Sequence, residues 1–189
     1  MQRLLRLSIV GPLAVALAVL GLFATPAAAA PYCGITWGSL PKLEGTGPTF
    51  PTPIVNVRAG RHECFDRVVV DLAGPAVGYH VSYVAAVLGQ GSGEPVPLAG
   101  GAFLDVTLYA PTSDLNGAPT FSPDPGNVVD VSGFRTVRQV VSAGSFEGYT
   151  TFGVGTRARL PFRVFVLAGQ GSGGPNVESR LVIDIAHRW

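Results

Sequence analysis

Residues 62–72, HECFDRVVVDL, decide how this chain is read. Val68, Val70 and Leu72 alternate, so an extended segment here turns all three to one face. Asp66 and Arg67 stand where that strand begins, and Cys64 lies just ahead of them. A second stretch, RLVIDIAH at 180–187, has the same form. Arg67-Val68-Val69-Val70-Asp71 and Arg180-Leu181-Val182-Ile183-Asp184 both read Arg, three aliphatics, Asp. We read them as two central strands of one β-domain, with hairpins and loops between them.

The rest of the chain fits that frame. Its 25 glycines and 16 prolines suit a loop-rich β-protein. Past residue 30 no stretch carries a long apolar period of 3.6 with caps. Alternation or short aliphatic runs between turn residues predict nine strands, over 54–59, 65–72, 79–87, 96–98, 102–109, 134–141, 145–155, 161–168 and 180–186. In the third of these Tyr79, Val81 and Tyr83 share one side. Strands of this kind, in a domain of this size, imply an all-β fold: a β-sandwich or a partly closed barrel. Residues 110–128 form a long polar loop. Trp37 is expected to anchor the N-terminal arm on the domain.

The first 30 residues read as a secretory signal peptide. Arg3 and Arg6 form a basic start, residues 7–23 an apolar run, and residues 24–30 a small-residue cleavage region, with the cut near Ala29 or Ala30. The rival is an uncleaved anchor. The apolar run is interrupted by Gly11, Pro12 and Gly21 and is short of the roughly 20 residues a span needs. Pro31-Tyr32 before Cys33 departs from a lipobox, so free secretion is expected, with no membrane span in the mature chain. Setting Arg3 and Arg6 aside leaves 11 basic against 12 acidic side chains. A near-neutral domain carries no electrostatic footprint for nucleic acid.

Cys33 and Cys64 are the two cysteines. In an exported protein such a pair most often forms one disulfide, here tying the arm to the start of the central strand. A metal site or catalytic thiol is the alternative, but zinc wants four ligands and only His62 is near. No metal or cofactor is expected.

Other chemistry finds little footing. No Gly-x-Ser-x-Gly elbow exists. The two GQGSG runs, 89–93 and 169–173, are not followed by Lys-Ser/Thr and read as hairpin loops. His62, His80 and His187 fall in a turn, in a strand and at a strand's end. Asp71 and Asp184 could serve a glycosidase as a carboxylate pair. The blander reading makes Arg67, Asp71, Arg180 and Asp184 a cross-strand ion-pair ladder on the solvent face.

The motifs together resemble a known family. VRAGRHECFDRVVVDLAGPAVGYHVSYV at 57–84, GSFEGYTTFGVGTRARLPFRVFVL at 144–167 and RLVIDIAH at 180–187 are similar to the AMIN-like domain, found in secreted proteins and lipoproteins of actinobacteria. The resemblance spans roughly residues 35–187. It implies an all-β fold related to the AMIN domain, a non-catalytic module that directs cell-wall amidases to the envelope. It supplies no catalytic residues.

The expected organisation is therefore a signal peptide (1–30), an N-terminal arm (31–53) and an AMIN-like β-domain (54–189). The expected function is binding of a cell-wall polymer or envelope protein, peptidoglycan first, outside the cytoplasm and without catalysis. A secreted protein–protein adaptor and a wall glycan hydrolase using Asp71 and Asp184 are the alternatives. The candidate ligand face carries Arg61, His62, Asp66, Arg67, Tyr79, Tyr83, Phe146 and Glu147, since exposed Arg and Tyr suit contact surfaces.

Overall fold

A computed structural model describes residues 31–45, 52–169 and 177–189. The expected signal peptide and most of the second GQGSG run lie outside them. Among the described residues the chain forms two antiparallel sheets and one short 3-10 turn at Tyr32–Gly34. The strands are β1 (Lys42–Glu44), β2 (Ile54–Arg61), β3 (Phe65–Leu72), β4 (Tyr79–Val84), β5 (Ala102–Leu108), β6 (Val137–Phe146), β7 (Tyr149–Thr156), β8 (Phe162–Ala168) and β9 (Ser179–Ala186). One sheet has the order β1-β4-β5-β7-β6 and the other β2-β3-β9-β8. The result is an open sandwich rather than a closed barrel.

The sheets face each other because each strand alternates. Val68, Val70 and Leu72 of β3 and Leu181, Ile183 and Ile185 of β9 point into one core with Val81, Leu104, Val106, Leu108 and Phe152 of the other sheet. Each fully buried side chain of this kind contributes about 1.5–3 kcal/mol. The two Arg-aliphatic-Asp strands are indeed neighbours, paired so that Arg67 faces Asp184 and Asp71 faces Arg180.

The strand expected over 145–155 is interrupted: Ser145 and Phe146 close β6, Glu147 and Gly148 turn the chain, and β7 begins at Tyr149. Two further predicted elements differ. Residues 96–98 form no strand. They belong to a loop, braced by an isolated bridge between Leu88 and Pro95, that lies on the outer face of the five-stranded sheet. Gly153 and Gly155 of β7 make room for it: a Cβ on Gly155 would stand 1.9 Å from the Ala99 carbonyl oxygen. The ninth strand is instead β1, inside the arm, which pairs with β4. The long loop is stitched down as well. The Thr120 hydroxyl donates to the Ile54 carbonyl at 2.7 Å, and Phe121 packs edge-on to Phe152.

The arm is tied at its base by the Cys33–Cys64 disulfide. Trp37 packs against Phe65 with ring centres 6.0 Å apart, and its indole N–H donates to the Tyr32 carbonyl at 2.9 Å.

Candidate functional site

The outer face of the four-stranded sheet carries the charged ladder, with a change of partners. Arg67 grips Asp184 with two bonds, at 2.6 and 2.9 Å, and Arg163 of β8 adds contacts at 2.7 and 2.8 Å. Asp71 is held not by Arg180 opposite it but by Arg58 of β2, at 2.8 and 3.0 Å. Arg180 reaches the Gly169 carbonyl instead. Both carboxylates are 0% exposed. Neither is open to a sugar, and their partners make them struts of the sheet.

The inner side of the same strand is different. Asp66 points inward at the mouth of β3, where β6 begins and β9 ends. Its Oδ2 accepts the backbone N–H groups of Thr136 at 2.6 Å and Val137 at 3.0 Å. Its Oδ1 meets Nε2 of His187 at 3.1 Å. The other ring nitrogen, Nδ1, lies 3.1 Å from the Glu63 carbonyl oxygen, which can only accept. The two contacts hold the ring from both sides, between a backbone carbonyl and the Asp66 carboxylate. The His187 backbone is pinned too: its N–H donates to the Cys64 carbonyl at 3.0 Å, and its carbonyl accepts from Arg157.

Above this pair lies an open cup of about 220 Å³ lined by Arg61, His62, Asp66, Gly133, Arg135 and His187. His62 stacks on Phe65 with ring centres 4.5 Å apart. Loss of solvent on that side, and then the charge of Arg67, push its imidazole below its ordinary range, so it sits neutral at pH 7. A second cup of about 310 Å³ lies alongside, lined by Pro31, Tyr32, Ile35, Thr36, Trp37, Pro161 and Trp189. His187 lines the first and Trp189, two residues on, the second. Two residues of extended chain span only about 7 Å, so the cups are neighbours.

The eight residues expected on a ligand face do not share one. Arg61, His62 and Asp66 line the first cup, with Asp66 as its buried floor. Arg67 follows Asp66 and turns to the opposite side of the sheet. Tyr83 points into the sandwich: its hydroxyl donates to the Leu160 carbonyl at 2.8 Å and accepts the Leu160 N–H at 3.1 Å. Tyr79 is buried at the other end of β4. Phe146 and Glu147 sit at the far end of ten-residue β6 from Asp66, about 30 Å away. There Glu147 (φ 51°) and Gly148 (φ 82°) form the two central residues of a tight hairpin turn.

Sequence reasoning missed His187, Arg135 and Gly133 as cup residues. Their places in a turn, a strand and at a strand's end gave the three histidines no shared site; His62 and His187 both line the cup while His80 lies in the other sheet. Among the described residues no group of three or more His, Cys, Asp or Glu is placed to hold a metal ion. Nor is any helix among them long and apolar enough to cross a membrane.

The model of one family, the AMIN-like domain, matches residues 52–187. Comparison with curated proteins and with solved structures finds no match. The matched segment takes in Asp66, His187 and every other residue that lines the first cup.

Proposed function

Since the chain belongs to the AMIN-like domain family, whose members are cell-wall-related modules, we propose that it is an exported, non-catalytic module that binds a cell-envelope component. Peptidoglycan is the first ligand to test. The observation that supports this reading is the pairing of the two cups at one end of the sandwich. One is cationic, with Arg61 and Arg135 on its rim. The other is apolar and aromatic, with Trp37 and Trp189. Wall glycopeptides combine sugar faces, which stack on aromatic rings, with charged peptide groups. The cups offer a place for each.

The test is co-sedimentation of the purified protein with insoluble peptidoglycan, with and without its covalently attached polymers. Pelleting with the bare polymer is the expected result. Pelleting only when the attached polymers are present moves the ligand to them. A protein that stays in the supernatant throughout overturns the wall-binding reading and puts a protein partner first.

A further inference from the structure

Resting on that reading, we propose that the cationic cup receives one oxyanion of the wall polymer, a carboxylate or a phosphate. Asp66 is the one carboxylate among the described residues that line it, and both of its oxygens are already engaged, one by His187 and the other by two backbone N–H groups. The acceptors of the floor are therefore used up. The donors of the rim are not. Arg61 makes no hydrogen bond or ion pair with the described residues, and Arg135 makes a single contact into the cup's neighbourhood, to the Glu63 carbonyl at 3.4 Å. Two fixed cations, Arg61 and Arg135, thus face the opening over one carboxylate whose oxygens are engaged.

A guanidinium presents parallel N–H groups that match the two oxygens of a carboxylate or phosphate. The floor is rigid, so the site is built before the ligand arrives. Gly133 lies beside Arg61 on the rim with φ 73°, a left-handed backbone conformation that favours glycine. Phosphates of attached polymers and carboxylates of peptide stems share this chemistry, and the cup's size admits either.

The test follows the arginine side-chain N–H signals of the purified protein by NMR at low ionic strength. Inorganic phosphate and acetate are titrated in separate arms, and wall pelleting is measured in parallel. Arg61 and Arg135 signals that shift with either anion, each shift weakening when the other arginine alone is replaced (R61Q or R135Q), are the expected result, with R61Q/R135Q as the double variant. The double variant is also expected to pellet with wall about tenfold less well, the loss of at least one charge-assisted bond. Signals that neither anion moves overturn the proposal, and so does unchanged pelleting of R61Q/R135Q. Wild-type protein that binds anions but never pellets keeps the oxyanion site and sinks the wall reading instead. Wall stripped of its phosphate polymers separates the sources: binding lost on stripping assigns phosphate, and binding retained assigns the stem carboxylate. Both arginines are exposed rim residues, so the double variant is expected to fold.

Discussion

Asp66 and His187 stand 121 residues apart in sequence and meet side chain to side chain at 3.1 Å, at the point where β3 begins, β6 begins and β9 ends. The carboxylate closes three chain segments at once, because its second oxygen accepts the N–H of Thr136, just ahead of β6, and that of Val137, its first residue. The structural clasp is also the floor of the proposed ligand cup.

That arrangement predicts a graded loss on substitution. Asp66→Ala leaves two buried backbone N–H groups and the His187 ring without their shared partner, and is expected to cost about 3–5 kcal/mol. Asp66→Asn keeps an oxygen for the N–H groups and an amide toward the His187 ring, so it should cost at least about 1 kcal/mol less. Urea denaturation of the two variants checks the order. Equal losses would show that the hydrogen bonds to β6 and His187 are not what holds this end together.

Asp184 carries a second prediction. It is fully buried between Arg67 and Arg163, whose guanidinium groups also lie over the rings of Phe65 and Phe165. Asp184→Ala strands two guanidiniums and is expected to cost about 3–5 kcal/mol. Arg163→Ala leaves Arg67 in place on both carboxylate oxygens and should cost roughly 1 kcal/mol, in the range of a partly exposed pair. A denaturation midpoint lowered more by Arg163→Ala than by Asp184→Ala would reverse the assignment of the carboxylate as the strut.

What could be read in advance follows from range. Period-two alternation is local, so Val68, Val70 and Leu72 declared their face, and the matching pattern at Arg180–Asp184 declared a sister strand. Which arginine holds which aspartate is not local. Four arginines share that face, and side-chain reach chose Arg58 and Arg163 although Arg180 stands opposite Asp71 in register. His187 read as a strand-end histidine because its partner lies across the antiparallel register of β3 and β9. Arg135 and Gly133 carried no periodic signal at all, since they sit in a turn that only the fold brings to the cup. Alternation groups Tyr79 and Tyr83 on one side of their strand, but it does not say that this side is the core and not a ligand face.

The loop over β7 gives a third prediction. Gly155 lies directly beneath the Ala99 carbonyl, and a methyl group there would overlap it at 1.9 Å. Backbone cannot swing aside as a side chain can, so Gly155→Ala must lift the loop or part the strand. A loss of about 3 kcal/mol is expected, together with faster hydrogen exchange in residues 96–101 and protection retained in β3 and β9. Unchanged exchange in the loop would mean that it does not rest on the glycine.

Tyr83 gives the last, and it depends on pH. Burial against Phe162 raises its phenol above the ordinary tyrosine range, and the hydrogen bonds to Leu160 and the nearby Arg159 only partly oppose that. A group whose folded pKa lies above its unfolded value binds its proton more tightly in the folded state. Its stabilisation is complete below the unfolded pKa of about 10 and is lost as pH climbs through the folded one. Melting temperature should therefore hold up to about pH 9 and fall above pH 10. Tyr83→Phe removes the ionisable hydroxyl together with both bonds to Leu160. It should cost about 1–2 kcal/mol at neutral pH and flatten the alkaline fall, with Tyr79, whose phenol is also raised by burial, accounting for what remains. Because the Tyr83 side chain faces the core, Tyr83→Phe is expected to leave wall pelleting unchanged where R61Q/R135Q reduces it. Pelleting lost in Tyr83→Phe at a temperature where the variant is folded would move the ligand site away from the cups and onto β4.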